Sequence, residues 1–204
     1  MFERSRGTTK VSNPFARKFY GEDELREAGF RALGTNVRVH EDVNIYGVEN
    51  IRLGDNVRID AYATIIATGP VEIGSYVHIA SYVLLSGGEG IRLGDFSGLS
   101  HGVKIYTRSD DYSGHALTNP CVPVEYTNPT GGRVDIGRHV IIGAGSVVLP
   151  NVTIGDGSSV GALSLVTRSL SEWGIYFGTP ARKIGERSHD LLELESKLLA
   201  ESAA

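Results

Sequence analysis

The sequence predicts an all-β solenoid, a coil of short parallel strands, and two observations support this prediction. First, aliphatic residues recur at every sixth position from Val134 to Val166, which reads VDIGRHVIIGAGSVVLPNVTIGDGSSVGALSLV. Second, glycines upstream recur at intervals of twenty residues and follow aliphatic residues. An all-β sandwich would instead show a period of about two residues and would lose phase at each turn.

The six-residue phase extends over most of the chain. In the C-terminal repeats it selects Ile136, Ile142, Val148, Ile154, Val160 and Val166. Upstream it selects Leu33, Val39, Ile45, Leu53, Ile59, Ile65, Ile73, Ile79, Leu85, Leu93, Leu99 and Ile105. The periodic glycines are Gly34, Gly54, Gly74 and Gly94. Three hexads with two extra residues at one corner give this spacing, so each coil closes a triangle of three short strands.

Composition and charge indicate a single domain with one extended core. The chain has 204 residues, of which 41% are hydrophobic, and a formal net charge of −4. This charge leaves no broad basic surface, so we expect no nucleic-acid partner. The one cysteine, Cys121, cannot form an internal disulfide, which is typical of a reducing compartment. Because the chain lacks a membrane-spanning apolar run and a signal-peptide core, we expect no membrane insertion and a cytoplasmic location.

Residues 1–32 are predicted to form an N-terminal arm and a short capping helix. The arm, residues 1–20, has basic residues among Ser, Thr and Pro, which suits a surface segment or a contact with a partner subunit or a phosphate. The following stretch GEDELREAGFRAL places acidic residues before Leu25 and suits a helix that ends near Gly29. Such a helix would cover the open sheet edge of the first coil.

Residues 33–170 are predicted to form the solenoid, with an excursion loop at about 106–133. The hexad phase fails in this loop, which reads YTRSDDYSGHALTNPCVPVEYTNPTGGR. A loop of this length in so periodic a fold is uncommon unless it has a function. Residues 171–204 are expected to form a segment that contains GTPARKI and then a terminal amphipathic helix, with apolar stripe residues Leu191, Leu194 and Leu198.

The hexads, the loop and the ending GIYFGTPARKI resemble the hexapeptide-repeat acyltransferases across residues 33–187. The stretch GTPARKI at 178–184 is similar to the signature G-x-P-A-[KR]-x-I of their galactoside, maltose and antibiotic acetyltransferase branch. Within the family, KIYTRSDDYSG and WGIYFGTPAR are most like acyltransferases of bacterial surface-polysaccharide synthesis, including those that acylate amino sugars of nucleotide-linked deoxyhexoses. The resemblance implies a left-handed parallel β-helix, a homotrimer, and acetyl-CoA in a groove between neighbouring subunits.

A column of mostly small side chains indicates where the coenzyme groove would lie. The third residue of the second hexad in each coil gives Glu41, Ala61, Ser81, His101, Ala144 and Ala162, if the coils resume in phase after the loop. Small side chains would let a pantetheine arm approach the backbone, although crowding at a turn would also select Ala144 and Ala162.

The C-terminal signature supplies the other expected coenzyme contacts. The resemblance implies that Gly178, Thr179 and Ala181 lie along the coenzyme and that Arg182 and Lys183 contact its phosphates. Charge-assisted hydrogen bonds between such cations and phosphate oxygens are strong. A solvated surface role is the alternative for the two cations.

Acyl transfer to a hydroxyl needs a group that accepts a proton, and His101 is the first candidate because histidine titrates near neutrality. In the galactoside and maltose branch the catalytic histidine lies three residues after a threonine of the loop. Here Asp110 stands three residues after Thr107. Asp110 or Asp111 could act as base, orient His101 or His115, or bind a sugar hydroxyl; a solvated polar turn is the alternative.

Tyr112 and His115, together with Asp111, are therefore candidates for contact with the acceptor. No metal is expected, because the carbonic anhydrases of this fold use two histidines spaced by five residues and no pair here has that spacing.

The sequence thus predicts an acetyltransferase that moves an acetyl group from acetyl-CoA to a hydroxyl or amine of a sugar or nucleotide sugar in surface-polysaccharide synthesis. The identity of the sugar, the position acylated and the length of the acyl group stay open. The alternatives are a non-catalytic scaffold or sugar-binding module, and an acyltransferase for an acceptor such as an antibiotic.

Overall fold

The chain folds into a left-handed parallel β-helix of about seven turns, which confirms the predicted fold class. The structure is a computed structural model and describes residues 18–202. Short strands stack into three sheets, which we call faces A, B and C in the order in which the chain visits them. The turns between the faces are corners AB, BC and CA.

The strands of each face come from successive coils. Face A contains Ala32–Leu33, Ile51–Leu53, Val71–Ile73, Ile91–Leu93, Val134–Ile136 and Thr153–Ile154. Face B contains Arg38–Val39, Arg58–Ile59, His78–Ile79, Gly98–Leu99, Ile141–Ile142, Ser159–Val160, Gly174–Phe177 and Arg182–Glu186. Face C contains Asn44–Tyr46, Thr64–Ile66, Leu84–Ser86, Lys104–Tyr106, Val147–Val148 and Leu165–Val166. All these strands pair in parallel except the last of face B, which is antiparallel to the strand before it.

The hexad residues form the core, because each points inward from its strand. From Leu53 onward, every residue selected by the six-residue phase is at most 3% exposed. The register continues across the excursion loop, since Leu93 pairs with Ile136 in the same way as it pairs with Ile73. The periodic glycines allow close stacking: a Cβ on Gly94 would lie 2.6 Å from the backbone nitrogen of Arg138.

The excursion loop leaves the β-helix at corner CA, between face C and face A. Its two arms form an antiparallel pair, Arg108–Ser109 with Thr130–Gly131. At its base, the buried Thr107 hydroxyl donates to the carbonyl oxygen of Ser86 at 2.8 Å and accepts the N–H of Glu89 at 3.0 Å. These bonds fix the point and direction in which the loop leaves the coils.

The helices lie at the two ends of the chain. Helix α1 is Glu22–Glu27, helix α2 is Leu191–Ser202, and two short 3-10 turns are Val48–Asn50 and Val124–Tyr126. In α1, Leu25 is 4% exposed and packs into the core at the first coil. The predicted N-terminal arm lies, up to residue 17, outside the described residues. No helix within residues 18–202 has the length and apolar character to cross a membrane.

Helix α2 lies beside corner AB and is held there by ion pairs. The Glu195 carboxylate contacts the guanidinium of Arg138. Its Oε2 lies 2.9 Å from the Nε2 of His139. Preceding α2, the Arg187 guanidinium donates to the carbonyl oxygens of His139 at 2.6 Å and Gly157 at 2.9 Å. Burial lowers the pKa of Arg187, and the C-terminal segment is fixed across this corner.

Candidate active site

The predicted column of small side chains lies along corner BC and is continuous across the excursion loop. Backbone hydrogen bonds join its members from coil to coil. The N–H of Gly102 donates to Ser81 at 3.0 Å, and that of Gly145 donates to His101 at 2.9 Å. The N–H of Leu163 continues the series by donating to Ala144 at 2.9 Å. His101 therefore stands one coil away from Ser81 on one side and from Ala144 on the other.

The side chain of His101 projects from the middle of this corner into solvent. Its carbonyl oxygen is held by the next coil, and Gly102 turns the corner with a φ of +70°. Within the part of the chain that the structure describes, the imidazole makes no hydrogen bond. The ring thus stands at a fixed point of the corner with no hydrogen-bond partner in residues 18–202.

On the C-terminal side of His101, the column positions of corner BC hold small side chains in two successive coils, with the exposed Leu163 next to the second. Ala144 and Ala162 are exposed, and beneath them the buried Ser146 hydroxyl donates to the carbonyl oxygen of Gly161 at 3.0 Å and accepts the N–H of Ser164 at 3.1 Å. Sequence analysis missed this bracing role of Ser146. The result is a shallow strip of backbone that a thin ligand can approach.

The predicted coenzyme segment closes the same corner at its C-terminal end. The N–H of Gly178 donates to the Ser164 hydroxyl at 3.0 Å, and the Thr179 hydroxyl donates to the carbonyl oxygen of Leu163 at 3.2 Å. The buried Ala181 follows, with its N–H bonded to Leu165 at 2.8 Å. The structure thus brings this segment next to Ala162.

The two predicted phosphate ligands, Arg182 and Lys183, differ in whether a protein carboxylate already pairs with them. Both side chains are exposed on the last strand of face B. The Lys183 ammonium lies 2.6 Å from the carboxylate of Glu186, and this hydrogen bond raises the pKa of Lys183. Within residues 18–202, Arg182 forms no ion pair. An anion at this edge would meet one free guanidinium and one ammonium that already has a partner.

In the excursion loop, Asp111 organises the loop itself. Its Oδ1 accepts the N–H of Ser113 at 2.7 Å and its Oδ2 accepts the N–H of Ala116 at 2.9 Å. Hydrogen bonding by Ser113, through its side chain and backbone, lowers the pKa of Asp111. The Nδ1 of His115 lies 2.6 Å from the Ser113 hydroxyl. Tyr112, between Asp111 and Ser113 in the chain, is 93% exposed. The tip of the loop therefore presents Tyr112 rather than Asp111.

Asp110 has a freer carboxylate than Asp111. Its Oδ2 accepts the N–H of Asn119 at 3.3 Å. With Arg108 and Asn119 it lines a cavity of about 370 Å³ between the two arms of the loop.

His101 and the loop residues do not meet within one chain. His101 lies on corner BC, whereas the loop leaves corner CA, and strand Lys104–Tyr106 of face C separates the two corners. A three-residue strand spans about 10 Å. Within residues 18–202 the hydrogen bonds of the Asp110 carboxylate and the His115 ring are to other residues of the loop, and none joins them to His101.

Sequence analysis also missed a charged cluster at the N-terminal side of corner BC. Asp60 accepts from the Nε of Arg58 at 2.7 Å and lies 2.8 Å from the Nε2 of His78. Partial burial alone would raise the pKa of Asp60, but the hydrogen bonds with His78 and Arg58 outweigh it and lower this pKa. The available signal was the twenty-residue spacing, because Arg58 and His78 pair in register on face B.

Within residues 18–202, no three His, Cys, Asp or Glu side chains are grouped closely enough to hold a metal ion.

The chain matches known proteins over its repeats and over nearly its whole length. The family model described as bacterial transferase hexapeptide (six repeats) matches residues 133–168. The dTDP-4-amino-4,6-dideoxy-D-glucose acyltransferase of Escherichia coli is 43% identical over 179 residues, which make up 87% of this chain and 93% of the relative. The chain belongs to the hexapeptide-repeat acyltransferases. It is therefore an acyltransferase, as the resemblance predicts.

A solved structure and a second relative show how far the likeness of this acyltransferase extends. AntD, an N-acyltransferase from Bacillus cereus in complex with dTDP and 3-hydroxybutyryl-CoA, is 43% identical with a TM-score of 0.90, covering 93% of this chain and 100% of AntD. The galactoside O-acetyltransferase of Lactococcus lactis subsp. lactis is 31% identical over 116 residues, which are 49% of this chain and 56% of the relative. The likeness to the first protein is thus more extensive than that to the second.

Proposed function

We propose that this acyltransferase moves an acyl group from acyl-CoA to the amino group of a dTDP-linked amino-dideoxyhexose, with acetyl-CoA as the expected donor. The observation that carries the acceptor class is the 43% identity over 93% of the Escherichia coli dTDP-amino-sugar acyltransferase. The likeness to AntD over the whole of that chain supports both ligands, because that structure contains dTDP and an acyl-CoA. The product would be an amidated sugar nucleotide for surface-polysaccharide synthesis. Since acyl-CoA and sugar nucleotides are intracellular metabolites, the reaction belongs to the cytoplasm.

The reaction exchanges a thioester for an amide. The lone pair of the neutral amine attacks the thioester carbonyl carbon, the C–N bond forms, and the carbonyl oxygen takes up negative charge. The C–S bond then breaks and CoA leaves as a thiolate. The nitrogen loses one proton and the sulfur gains one. A single group that takes the proton from the nitrogen and then gives it to the sulfur therefore balances the step. His101 is that group in our proposal, since it is a free imidazole at the corner where the coenzyme strip ends.

The site is completed by a neighbouring subunit in our proposal, and the contrast between two faces supports this. Four outward side chains of face A are charged: Arg52, Glu72, Arg92 and Asp135. Within residues 18–202, face C has one outward charge, Lys104, and a half-buried apolar set: Ile66, Leu84, Tyr106, Val147 and Leu165. A trimer packed through face C would bring corner BC of one chain to the edge from which the next chain's loop projects. Asp110 or Tyr112 of that loop could then reach His101.

An acceptor panel tests the proposed function. The purified protein would be supplied with acetyl-CoA or 3-hydroxybutyryl-CoA and with dTDP-4-amino-4,6-dideoxyglucose, its 4-hydroxy analogue, a galactoside or chloramphenicol. We expect rapid CoA release only with the amino sugar nucleotide, and a product mass that corresponds to the amide. Faster release with the galactoside or chloramphenicol would contradict the acceptor class. A fully active monomer in sedimentation analysis would contradict the shared site.

A further inference from the structure

Corner BC has an aromatic half as well as a small-residue half, and His101 separates the two. On the N-terminal side of His101, the rings of Tyr62 and Tyr82 stack with centroids 5.2 Å apart and an interplanar angle of 20°. They are 46% and 63% exposed. The two tyrosines therefore form an exposed stacked pair, here called the tyrosine platform, on the same edge of the molecule as the proposed reaction centre.

The turn itself does not require these tyrosines. Both have a φ of +63°, in the left-handed region that bulky residues avoid. In the next two coils the equivalent turn residues are Gly102 and Gly145, each with a φ of +70°. The turn alone therefore does not explain why two successive coils carry tyrosine at this corner.

Corner AB shows what a purely structural aromatic stack looks like in this molecule. There Tyr76, Phe96 and His139 stack with centroid distances of 4.7 and 5.0 Å, also at positive φ. These rings are buried or half-buried, and Glu195 of helix α2 binds the last of them. Over the tyrosine platform, by contrast, no segment of residues 18–202 lies, so both rings remain more than 40% exposed.

We propose that the platform binds the pyrimidine base of the acceptor nucleotide by stacking, an inference that rests on the proposed function. Coils are spaced by about 4.8 Å, so Tyr82 and Tyr62 lie roughly 5 and 10 Å along the axis from the level of His101. In a nucleotide-linked sugar, a diphosphate and a deoxyribose separate the base from the amino sugar. If the amine lies at His101, the base therefore lies at least one coil away from His101, at the level of the platform.

The small-residue half of corner BC has no aromatic side chain on which a base could stack. The corner residues on the C-terminal side of His101 are Ala144, Gly145, Ala162 and Leu163, none of which offers a ring.

A lysine next to corner BC suits the diphosphate of the same ligand. Lys104 begins the face C strand of the coil that contains His101 and pairs in register with Leu84, two residues after Tyr82. Its exposed ammonium makes no ion pair with the rest of residues 18–202. A diphosphate that runs from the platform to His101 would pass close to this cation.

Tyr62→Asn and Tyr82→Asn test the platform without changing the backbone. Asparagine suits the left-handed region, and Asn36 and Asn56 occupy it at corner AB. Binding of dTDP and of 2-deoxyribose 5-diphosphate, which lacks the base, would be measured by calorimetry without CoA. Because stacking of a base on an aromatic ring is worth about five- to a hundredfold in affinity, we expect weaker dTDP binding in that range. Affinity for the base-free ligand should stay unchanged.

Leu163→Asn is the matched control, since it has the same left-handed backbone on the same corner but on the other side of His101. It should leave dTDP affinity unchanged. Unchanged dTDP affinity in both tyrosine variants would overturn the platform, and so would an equal loss of affinity for dTDP and for the base-free ligand. The proposed function would still stand if the wild type acylated the amino sugar nucleotide. A wild type that neither binds dTDP nor acylates that acceptor would overturn both.

Discussion

Corners AB and BC are built from the same kind of turn, yet the chain covers one and leaves the other open. At corner AB, helix α2 and Arg187 close over the stacked rings through Glu195 and three backbone carbonyl contacts. At corner BC, the tyrosines, His101 and Ala144 face outward with nothing from residues 18–202 over them. The same local geometry therefore serves stability at one corner and is free for ligands at the other.

The largest effect should follow from removing the base at the open corner. His101→Ala should lower kcat about 10²- to 10⁴-fold, the usual worth of positioned proton transfer. The dissociation constant for CoA should barely change, because the loss belongs to the transition state. His78→Gln is the control, since His78 lies on face B and contacts Asp60.

Asp110→Asn is the companion of that experiment. A severe loss in Asp110→Asn with a nearly silent His101→Ala would move the base to the loop. If neither substitution changed kcat, proton transfer by the enzyme would be unnecessary and catalysis would depend on positioning alone.

The next effect concerns the C-terminal end of corner BC. Arg182→Ala should raise the dissociation constant for CoA about tenfold or more, because a hydrogen bond to a charged group is worth about 1.5–3 kcal/mol. Lys183→Ala should have a smaller effect, since Glu186 already neutralises this ammonium. Titration of each variant with CoA measures the difference. Equal affinities in both variants and the wild type would rule out a phosphate contact at this strand.

A smaller effect, on stability alone, is expected at the closed corner. Glu195→Gln weakens the contacts of α2 with Arg138 and His139 and should cost about 1 kcal/mol, because the pairs are only partly buried. Thermal unfolding should show a Tm lower by a few degrees, while kcat stays at the wild-type value. A large loss of activity with unchanged Tm would show that corner AB, too, serves catalysis.

The smallest effect is a pH dependence at Asp60. Its pKa is lowered in the folded state, so the carboxylate stabilises the fold above its unfolded pKa of about 3.9, and this contribution disappears as pH falls through the folded value. Asp60→Asn should therefore be less stable than the wild type near neutral pH, and the difference should shrink below about pH 4. Denaturant unfolding at several pH values measures it. A difference that grew on acidification would contradict this sign.

The sequence predicted the coils well because the inward hexad positions admit little except aliphatic side chains. Leu93 and Ile136 pair across the excursion loop, so the phase counted along the chain was the phase of the fold. The column containing His101 and Ala144 followed from the same counting. Corner residues were less predictable, since a left-handed turn here holds Asn, Gly, Leu or an aromatic residue alike.

Two features of the site lay beyond the sequence for different reasons. Asp111 is a carboxylate in a polar loop, and neither its type nor its spacing distinguishes a substrate ligand from one that binds its own backbone N–H groups. Sequence analysis could have predicted that His101 and the loop lie on different corners, because the strand Lys104–Tyr106 stands between them in the chain. Where the loop of a neighbouring chain lies depends on assembly, which the repeat pattern does not encode.

The most direct test of the open corner is a crystal structure of the enzyme soaked with CoA and dTDP-4-amino-4,6-dideoxyglucose. We expect the pantetheine arm along Ala144 and Ala162, the amino group beside His101, and the thymine ring against Tyr62 and Tyr82. Residues of a neighbouring chain's loop should contact the sugar. Ligands bound at corner AB, or both ligands on the same side of His101, would contradict the account.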